Sequence, residues 1–252
     1  MGRVIAIANQ KGGVGKTTTA VNLSASLAAG GLKVLLIDTD PQGNSTSGLG
    51  FNKNEEKKCI YNVLIDDLPV KEVIRNSNWP DLFVVPATIQ LAGAEIELVD
   101  MGEREGRMKK ALGPIRNDYD FIITDCPPSL GLLTLNALTA ADGVLIPIQC
   151  EYYALEGLGQ LMNTIALVRK HLNKNLRIEG VLLTMYDSRT NLSEQVAEEV
   201  RNYFKQYVFN TVIPRNVRLS EAPSYGKHIL EYDPRSRGAE LYLDLALEVI
   251  RR

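Results

Sequence analysis

The chain has 252 residues, enough for one large α/β domain with a sizeable core, and no internal repeat or low-complexity linker divides it. A net charge of −2 excludes a uniformly basic or acidic surface, so affinity for nucleic acid or lipid would have to come from a local patch. Three cysteines (Cys59, Cys126, Cys150) without Cys-x-x-Cys spacing, no charged-then-apolar leader, and no apolar run near the ~18 residues that span a bilayer lead us to expect a soluble, cytoplasmic protein.

Apolar runs suited to strands buried on both faces alternate with helical patterns along the chain. Arg3–Ala8 is predicted as the first strand and Thr17–Ala29 as the first helix, stopped by Gly30-Gly31. Between them, Gln10-Lys11-Gly12-Gly13-Val14-Gly15-Lys16-Thr17-Thr18 reads as a phosphate-binding loop, closing on Gly15-Lys16-Thr17 as the Gly-x-x-x-x-Gly-Lys-Thr pattern does and opening as Lys-Gly-Gly-Val-Gly-Lys-Thr-Thr. Gly12, Gly13 and Gly15 let the backbone curl so that successive N–H groups point inward as an anion nest. The helix start adds its positive dipole end. Lys16 would charge-pair with the β- and γ-phosphates, and the Thr17 hydroxyl is a hard oxygen ligand for Mg²⁺. Lys11 is a second lysine opening the loop, and the Gly12-Gly13 pair would let another backbone come very close.

The second predicted strand, Val34–Asp38, ends in Asp38-Thr39-Asp40-Pro41-Gln42-Gly43-Asn44. Asp38 and Asp40, two residues apart at a strand end, can face one side beside the phosphate loop. One could hold a metal-bound water and the other orient the attacking water. Pro41 and Gly43 make the following loop a candidate switch. Residues 52–58 read as a solvated loop, Leu82–Pro86 as a strand, and Ala87–Asp100 and Gly106–Ile115 as helices. The strand Phe121–Asp125 closes on Asp125-Cys126-Pro127-Pro128-Ser129, where Asp125 is expected to hold Mg²⁺ through water. Helix Leu132–Ala141, strand Val144–Gln149, helix Leu155–His171, strand Ile178–Met185, helix Leu192–Phe204, strand Val208–Ile213 and helix Ala239–Arg251 complete the series. Asn191-Leu192-Ser193-Glu194 is predicted to cap the sixth of these helices. The alternation implies a doubly wound, mostly parallel sheet flanked by helices, with ligands at the carboxyl ends of the strands.

Together Lys11–Thr18, Asp38–Asn44 with Ser45-Thr46-Ser47-Gly48-Leu49-Gly50, Asp125–Ser129, and Pro214-Arg215-Asn216 with Ser220-Glu221-Ala222-Pro223 resemble the ParA/Soj family of partition ATPases. That family lies in the deviant Walker group of P-loop NTPases, and the resemblance covers essentially the whole chain, with no room for an N-terminal DNA-reading domain. It implies ATP and Mg²⁺ as ligands and a homodimer that forms on ATP binding, with Lys11 crossing to the partner's nucleotide and Lys11, Gly12 and Gly13 at the dimer interface. It implies nucleotide contacts from Lys11, Gly12, Gly13, Val14, Gly15, Lys16, Thr17 and Thr18, and adenine contacts from Met185, Pro214, Arg215 and Asn216. Thr17 would bind the metal directly, Asp38 and Asp125 through water, and Lys11, Lys16 and Asp40 would serve hydrolysis. A guanine-reading Asn-Lys-x-Asp is absent, which favours ATP.

The resemblance further implies non-specific double-stranded DNA binding by Arg189 and Arg218, nucleoid association, and stimulation of a slow hydrolysis by a ParB/Spo0J-like centromere-binding protein. Lys227, His228, Arg235 and Arg237 lie nearby in sequence, with Lys227 the expected third contact. Phosphate neutralisation would make such binding fall steeply with salt. Three rival readings share the loop. A Min-type membrane ATPase needs a basic amphipathic tail, whereas Leu241, Leu245, Val249 and Ile250 read as a core stripe, so no membrane partner is expected. Iron–sulfur relatives need cysteine spacings that Cys126 and Cys150 do not offer. A small-molecule kinase would need a substrate motif that is not evident.

Overall fold

The computed structural model describes residues 2–151 and 158–252. Among the described residues there are seven strands: β1 (Arg3–Ile7), β2 (Val34–Asp38), β3 (Arg75–Asn76), β4 (Leu82–Val85), β5 (Phe121–Asp125), β6 (Gly143–Gln149) and β7 (Arg177–Thr184). They form one sheet in the order β3-β4-β2-β5-β1-β6-β7. Only β3 runs antiparallel, against β4. The α-helices are α1 (Lys16–Ala29), α2 (Asn44–Gly48), α3 (Ile60–Leu64), α4 (Leu91–Glu97), α5 (Arg107–Leu112), α6 (Leu132–Ala140), α7 (Leu158–His171), α8 (Asn191–Phe204), α9 (Val217–Glu221), α10 (Ile229–Tyr232) and α11 (Arg237–Arg251).

The central strands are apolar throughout because both faces are covered. Ile5 and Ile7 of β1 pack with Leu36 under Leu23 and Leu27 of α1 and Leu245 and Val249 of α11. Val4 and Ala6 face the other way, against Leu133 of α6, Leu161 of α7 and Val200 of α8. This is the doubly wound arrangement expected from the alternation. Because β5 lies between β1 and β2, Asp125 is in register with both Ile7 and Asp38. Three chain segments far apart in sequence therefore leave the sheet side by side.

Several expected elements differ. Val208–Ile213 does not form a strand. Phe209 N donates to Val181 O at 2.9 Å and Ile213 N to Leu183 O at 2.9 Å, so the segment spans β7 with four residues against two. The intervening N–H groups of Asn210 and Thr211 donate to the Glu248 carboxylate of α11 at 2.9 and 2.7 Å, which diverts them from the ladder. The predicted helix over residues 87–100 is regular only in α4, and that over residues 106–115 only in α5, each followed by a 3-10 turn. The start of the predicted helix Leu155–His171 lies outside the described residues. The cap of α8 is Thr190, whose hydroxyl accepts from Ser193 N at 3.4 Å, one residue before the predicted capping run. β3 and the short helices α2, α3, α9 and α10 carried no periodicity long enough to read.

Candidate active site

The loop between β1 and α1 departs from the commonest pattern at its first position, where Gln10 stands in place of glycine. Gly13 and Gly15 take φ of +74° and +87°, the left-handed region that glycine occupies without steric cost. Gly15 is the N-cap of α1, supplies no side chain to it, and no acidic residue occupies the first turn. The leading N–H groups of α1 are thus left for an anion. Asn9 props the loop: its Nδ2 donates to Pro147 O at 2.7 Å and its Oδ1 accepts from Lys11 N at 3.0 Å. Thr184 Oγ1, at the end of β7, donates to Val14 O at 2.9 Å. Lys16 is buried and its Nζ donates to Lys11 O at 2.9 Å. Burial lowers its pKa, while Asp125, Cys126 and Asp40 oppose that shift.

Asp38 and Asp125 end neighbouring strands and are fully buried. Asp38 Oδ2 accepts from Thr46 N at 2.8 Å and Thr46 Oγ1 at 2.7 Å, and its Oδ1 from Asp40 N at 3.1 Å. Asp125 Oδ2 accepts from Ser45 Oγ at 2.7 Å, and its Oδ1 is buried with no hydrogen-bond partner among the described residues. Burial pushes Asp38 up to about 6, with the Thr46 bonds opposing. Burial and then the Asp38 charge push Asp125 up to about 7, with the Ser45 and Thr17 hydroxyls opposing. Two adjacent carboxylates in low dielectric resist joint ionisation. A divalent cation would relieve that conflict, and the orphaned Asp125 Oδ1 with the nearby Thr17 hydroxyl makes a hard-oxygen donor set suited to Mg²⁺.

Asp40 is buried and its Oδ1 accepts from Gln42 N at 2.9 Å, which closes a turn onto Gly43. Gly43 has φ +60°, and a Cβ there would sit 2.9 Å from Ala87 O. Thr39 Oγ1 donates to Asp125 O at 2.6 Å, tying the two carboxylate-bearing loops.

A cavity of about 600 Å³ opens beside the loop, lined by Gly15, Thr18, Thr184, Met185, Pro214, Arg215 and Asn216 among others. That size suits a small ligand. Met185 has φ +51°, a conformation costly for a non-glycine residue and one that clusters at ligand sites. The two segments that sequence pairs with a nucleobase thus share one wall. Asn216 Oδ1 also caps α9, accepting from Arg218 N at 2.9 Å.

The basic residues are distributed differently from a free patch. Arg189 lines the same cavity, its side chain is 84% exposed, and its Nε and Nη2 grip Asp187 at 2.9 and 2.7 Å. That guanidinium holds the Asp187 carboxyl well below the usual carboxylate range. Arg218 pairs with Glu221 at 3.0 Å and Asp233 at 3.5 Å, and Lys227 with Glu231 at 3.1 Å. Arg215 pairs with Glu151. His228 is buried against Trp79, ring centroids 4.4 Å apart, so it does not belong to any surface patch. Sequence reasoning assigned no role to Asn9, Thr39, Ser45, Thr46 or Thr184; the hydroxyl run directly after the Asp38–Gly43 loop was the one available signal.

An uncapped helix start behind a glycine loop, a buried lysine and two strand-end carboxylates at the carboxyl edge of a parallel sheet define a nucleoside-triphosphate-binding protein of the P-loop class. Comparisons narrow the class. A protein-family model described as "AAA domain" matches residues 2–178. Sporulation initiation inhibitor protein Soj of Bacillus subtilis (strain 168) is 66% identical over 249 residues, covering 99% of this chain and 98% of that protein. Chromosome partitioning protein ParA of Myxococcus xanthus (strain DK1622) is 58% identical over 252 residues, covering 100% of this chain and 89% of that protein. Among solved structures, cobyrinic acid a,c-diamide synthase from Mycobacterium smegmatis with bound ADP and magnesium superposes with a TM-score of 0.88 at 39% identity, covering 100% of this chain and 95% of that one. The chain belongs to the ParA/Soj family of chromosome-partitioning ATPases. No helix among the described residues is long and apolar enough to cross a membrane.

Proposed function

We propose that residues 1–252 act as a single ATPase domain that couples an ATP cycle to reversible attachment to DNA. The observation that carries this reading is the meeting of the uncapped α1 start and Lys16 with Asp38 and Asp125 at one sheet edge. The residues Lys11 to Thr18 hold the phosphates, with Lys16 and the backbone N–H groups supplying the positive potential. Thr17 directly, and Asp38 and Asp125 through water, hold Mg²⁺, which when bound neutralises phosphate charge. Asp40 orients the attacking water. Met185, Pro214, Arg215 and Asn216 enclose the adenine.

ATP joins two copies face to face, and Lys11 reaches the partner's nucleotide. A Cβ built at Gly12 or Gly13 meets nothing within 4 Å in one copy. Space there is therefore unused by the single chain and open to a second backbone. The pair binds DNA phosphates without sequence preference through Arg189, Arg218 and Lys227, each of which must leave its present carboxylate partner to do so. A ParB/Spo0J-like centromere-binding protein accelerates hydrolysis and so release, and the protein works on the nucleoid in the cytoplasm.

The test measures sedimentation and DNA retention of Asp40→Ala with ATP and Mg²⁺, with ADP, and without nucleotide, at several salt concentrations. A dimer and salt-sensitive DNA retention are expected with ATP alone. A single chain in saturating ATP and Mg²⁺ would overturn the reading. Gly12→Val should keep the melting temperature of the parent yet stay single, because a Cβ at this position meets nothing within 4 Å in one copy.

A further inference from the structure

Three hydroxyl residues follow Asn44 at the start of α2: Ser45, Thr46 and Ser47. Ser47 uses its hydroxyl locally, donating to Gly43 O at 3.1 Å, the usual habit of a serine near a helix start. Ser45 and Thr46 do not. Ser45 Oγ reaches a residue 80 positions away, Asp125, and donates to its Oδ2 at 2.7 Å, while Thr46 Oγ1 donates to Asp38 Oδ2 at 2.7 Å. Both residues are fully buried. A hydroxyl taken out of water is costly unless an acceptor meets it, and here each hydroxyl meets a different strand-end carboxylate.

The two carboxylates are not held equally. Asp38 accepts two backbone N–H groups besides the Thr46 hydroxyl, Thr46 N at 2.8 Å and Asp40 N at 3.1 Å, so its orientation does not hang on one side chain. The backbone of Asp125 is just as firmly fixed. It pairs in register with Ile7 and Asp38, and its carbonyl accepts from Thr39 N at 3.0 Å and Thr39 Oγ1 at 2.6 Å. That leaves the carboxylate itself free to turn, because the last torsion of an aspartate is broad and roughly two-fold. Ser45 supplies the one hydrogen bond on Asp125 Oδ2 among the described residues, and Oδ1 has none. Thr17, whose hydroxyl also lies near Asp125, is committed to the metal in the reading above.

We propose that Ser45 is the positioning residue of the metal site: by holding Asp125 Oδ2 it reserves Oδ1 for the water shell of Mg²⁺. This role rests on the reading above that Asp125 meets Mg²⁺ through water, and it names the side chain that aims the carboxylate. Partners of this kind, one shell out from the metal, fix ligand orientation and so set metal affinity. Ser45 also stands on the helix turn that closes the Asp40–Gly43 loop, where Gly43 N donates to Asp40 O at 2.8 Å and Ser47 N to Gly43 O at 3.0 Å. One hydroxyl therefore ties the carboxylate that faces the metal to the segment that carries Asp40.

The test titrates free Mg²⁺ at a saturating, non-hydrolysable ATP analogue and reads the rise in melting temperature of each protein above its own nucleotide-free value. Any loss of basal stability is thereby removed from the comparison. Ser45→Ala should raise the half-saturating Mg²⁺ concentration roughly tenfold. Ser45→Cys, which keeps a side chain of similar shape with a weak donor, should do the same and answers the question if the alanine variant does not fold. Ser45→Thr, which restores the hydroxyl, should bring the value back toward wild type. Thr46→Val should move it less than Ser45→Ala, because Asp38 keeps its two backbone donors. An unchanged Mg²⁺ dependence in Ser45→Ala and Ser45→Cys overturns the role. So does an equal rise in Ser45→Thr, which would make packing the cause, or an equal rise in Thr46→Val, which would make it a general loosening of α2. Asp125→Ala separates this role from the reading beneath it. A rise in Asp125→Ala without one in Ser45→Ala removes Ser45 and leaves the metal assignment standing. Stabilisation of wild type that ignores Mg²⁺ overturns both.

Discussion

Replacing Asp125 by asparagine should make the nucleotide-free protein more stable, and increasingly so as pH rises. Asp125 is fully buried beside Asp38, and its pKa stands at about 7 against an ordinary 3.8. The folded state therefore keeps a proton that the unfolded chain gives up above pH 4. Folding takes up a proton between pH 4 and 7, so wild-type stability falls through that window and levels off above it. The gap from 3.8 to about 7 corresponds to a penalty on the order of 4 kcal/mol at pH 8. Asparagine keeps the shape and carries no charge, and it also lets Asp38 ionise without a charged neighbour. A new amide hydrogen beside the formerly orphaned oxygen adds a cost that does not depend on pH. The expected net gain is roughly 1–4 kcal/mol at pH 8, a rise in melting temperature of several degrees for a chain of this size, and near zero or negative at pH 4. The assay is thermal and urea unfolding of both proteins from pH 4 to 8 without nucleotide. ATP with Mg²⁺ should then stabilise wild type far more than the variant. A difference between the two proteins that is flat across pH would refute the buried-carboxylate argument, whatever its sign.

Asp187→Asn should free Arg189 from its two-bond grip and raise DNA retention several-fold at fixed salt, read by filter binding with ATP present; lower retention would mean that the pair positions the arginine rather than occupying it. Gly43→Ala places a Cβ 2.9 Å from Ala87 O at φ +60°, so a loss of about 2 kcal/mol or more in unfolding experiments and slowed hydrolysis are expected. His228 is buried with neither ring nitrogen bonded among the described residues, and burial holds it at about 4, with Glu231 opposing and Lys227 assisting. The unfolded chain protonates it first, so its contribution is intact above pH 6.5 and is lost as pH falls toward 4. His228→Phe, which keeps an aromatic edge on Trp79, should lose roughly 3 kcal/mol less than wild type between pH 7 and 4 by urea unfolding.

The local chemistry of the chain was enough to determine the alternation of strands and helices, the loop at residues 10–18 and the carboxylates that end two strands. Those features are written in continuous apolar runs, in a period of 3.6 residues and in residue types that few other backbones tolerate. Runs such as Val34–Asp38 and Phe121–Asp125 read correctly because both their faces are buried, which leaves an unbroken apolar signature. Tertiary structure alone decided what depends on which distant group arrives first. Val208–Ile213 has strand composition, yet Glu248 of α11 takes two of its N–H groups, and no local pattern announces that competitor. Asp38 and Asp125 became neighbouring buried carboxylates only because β5 inserts between β1 and β2. Arg189, Arg218 and Lys227 were expected from the resemblance as DNA-contacting cations, but folding gave each a carboxylate partner that no local pattern announced. Periodicity records how a segment meets water; it holds no information on which remote donor, acceptor or charge will stand beside it once the sheet is assembled.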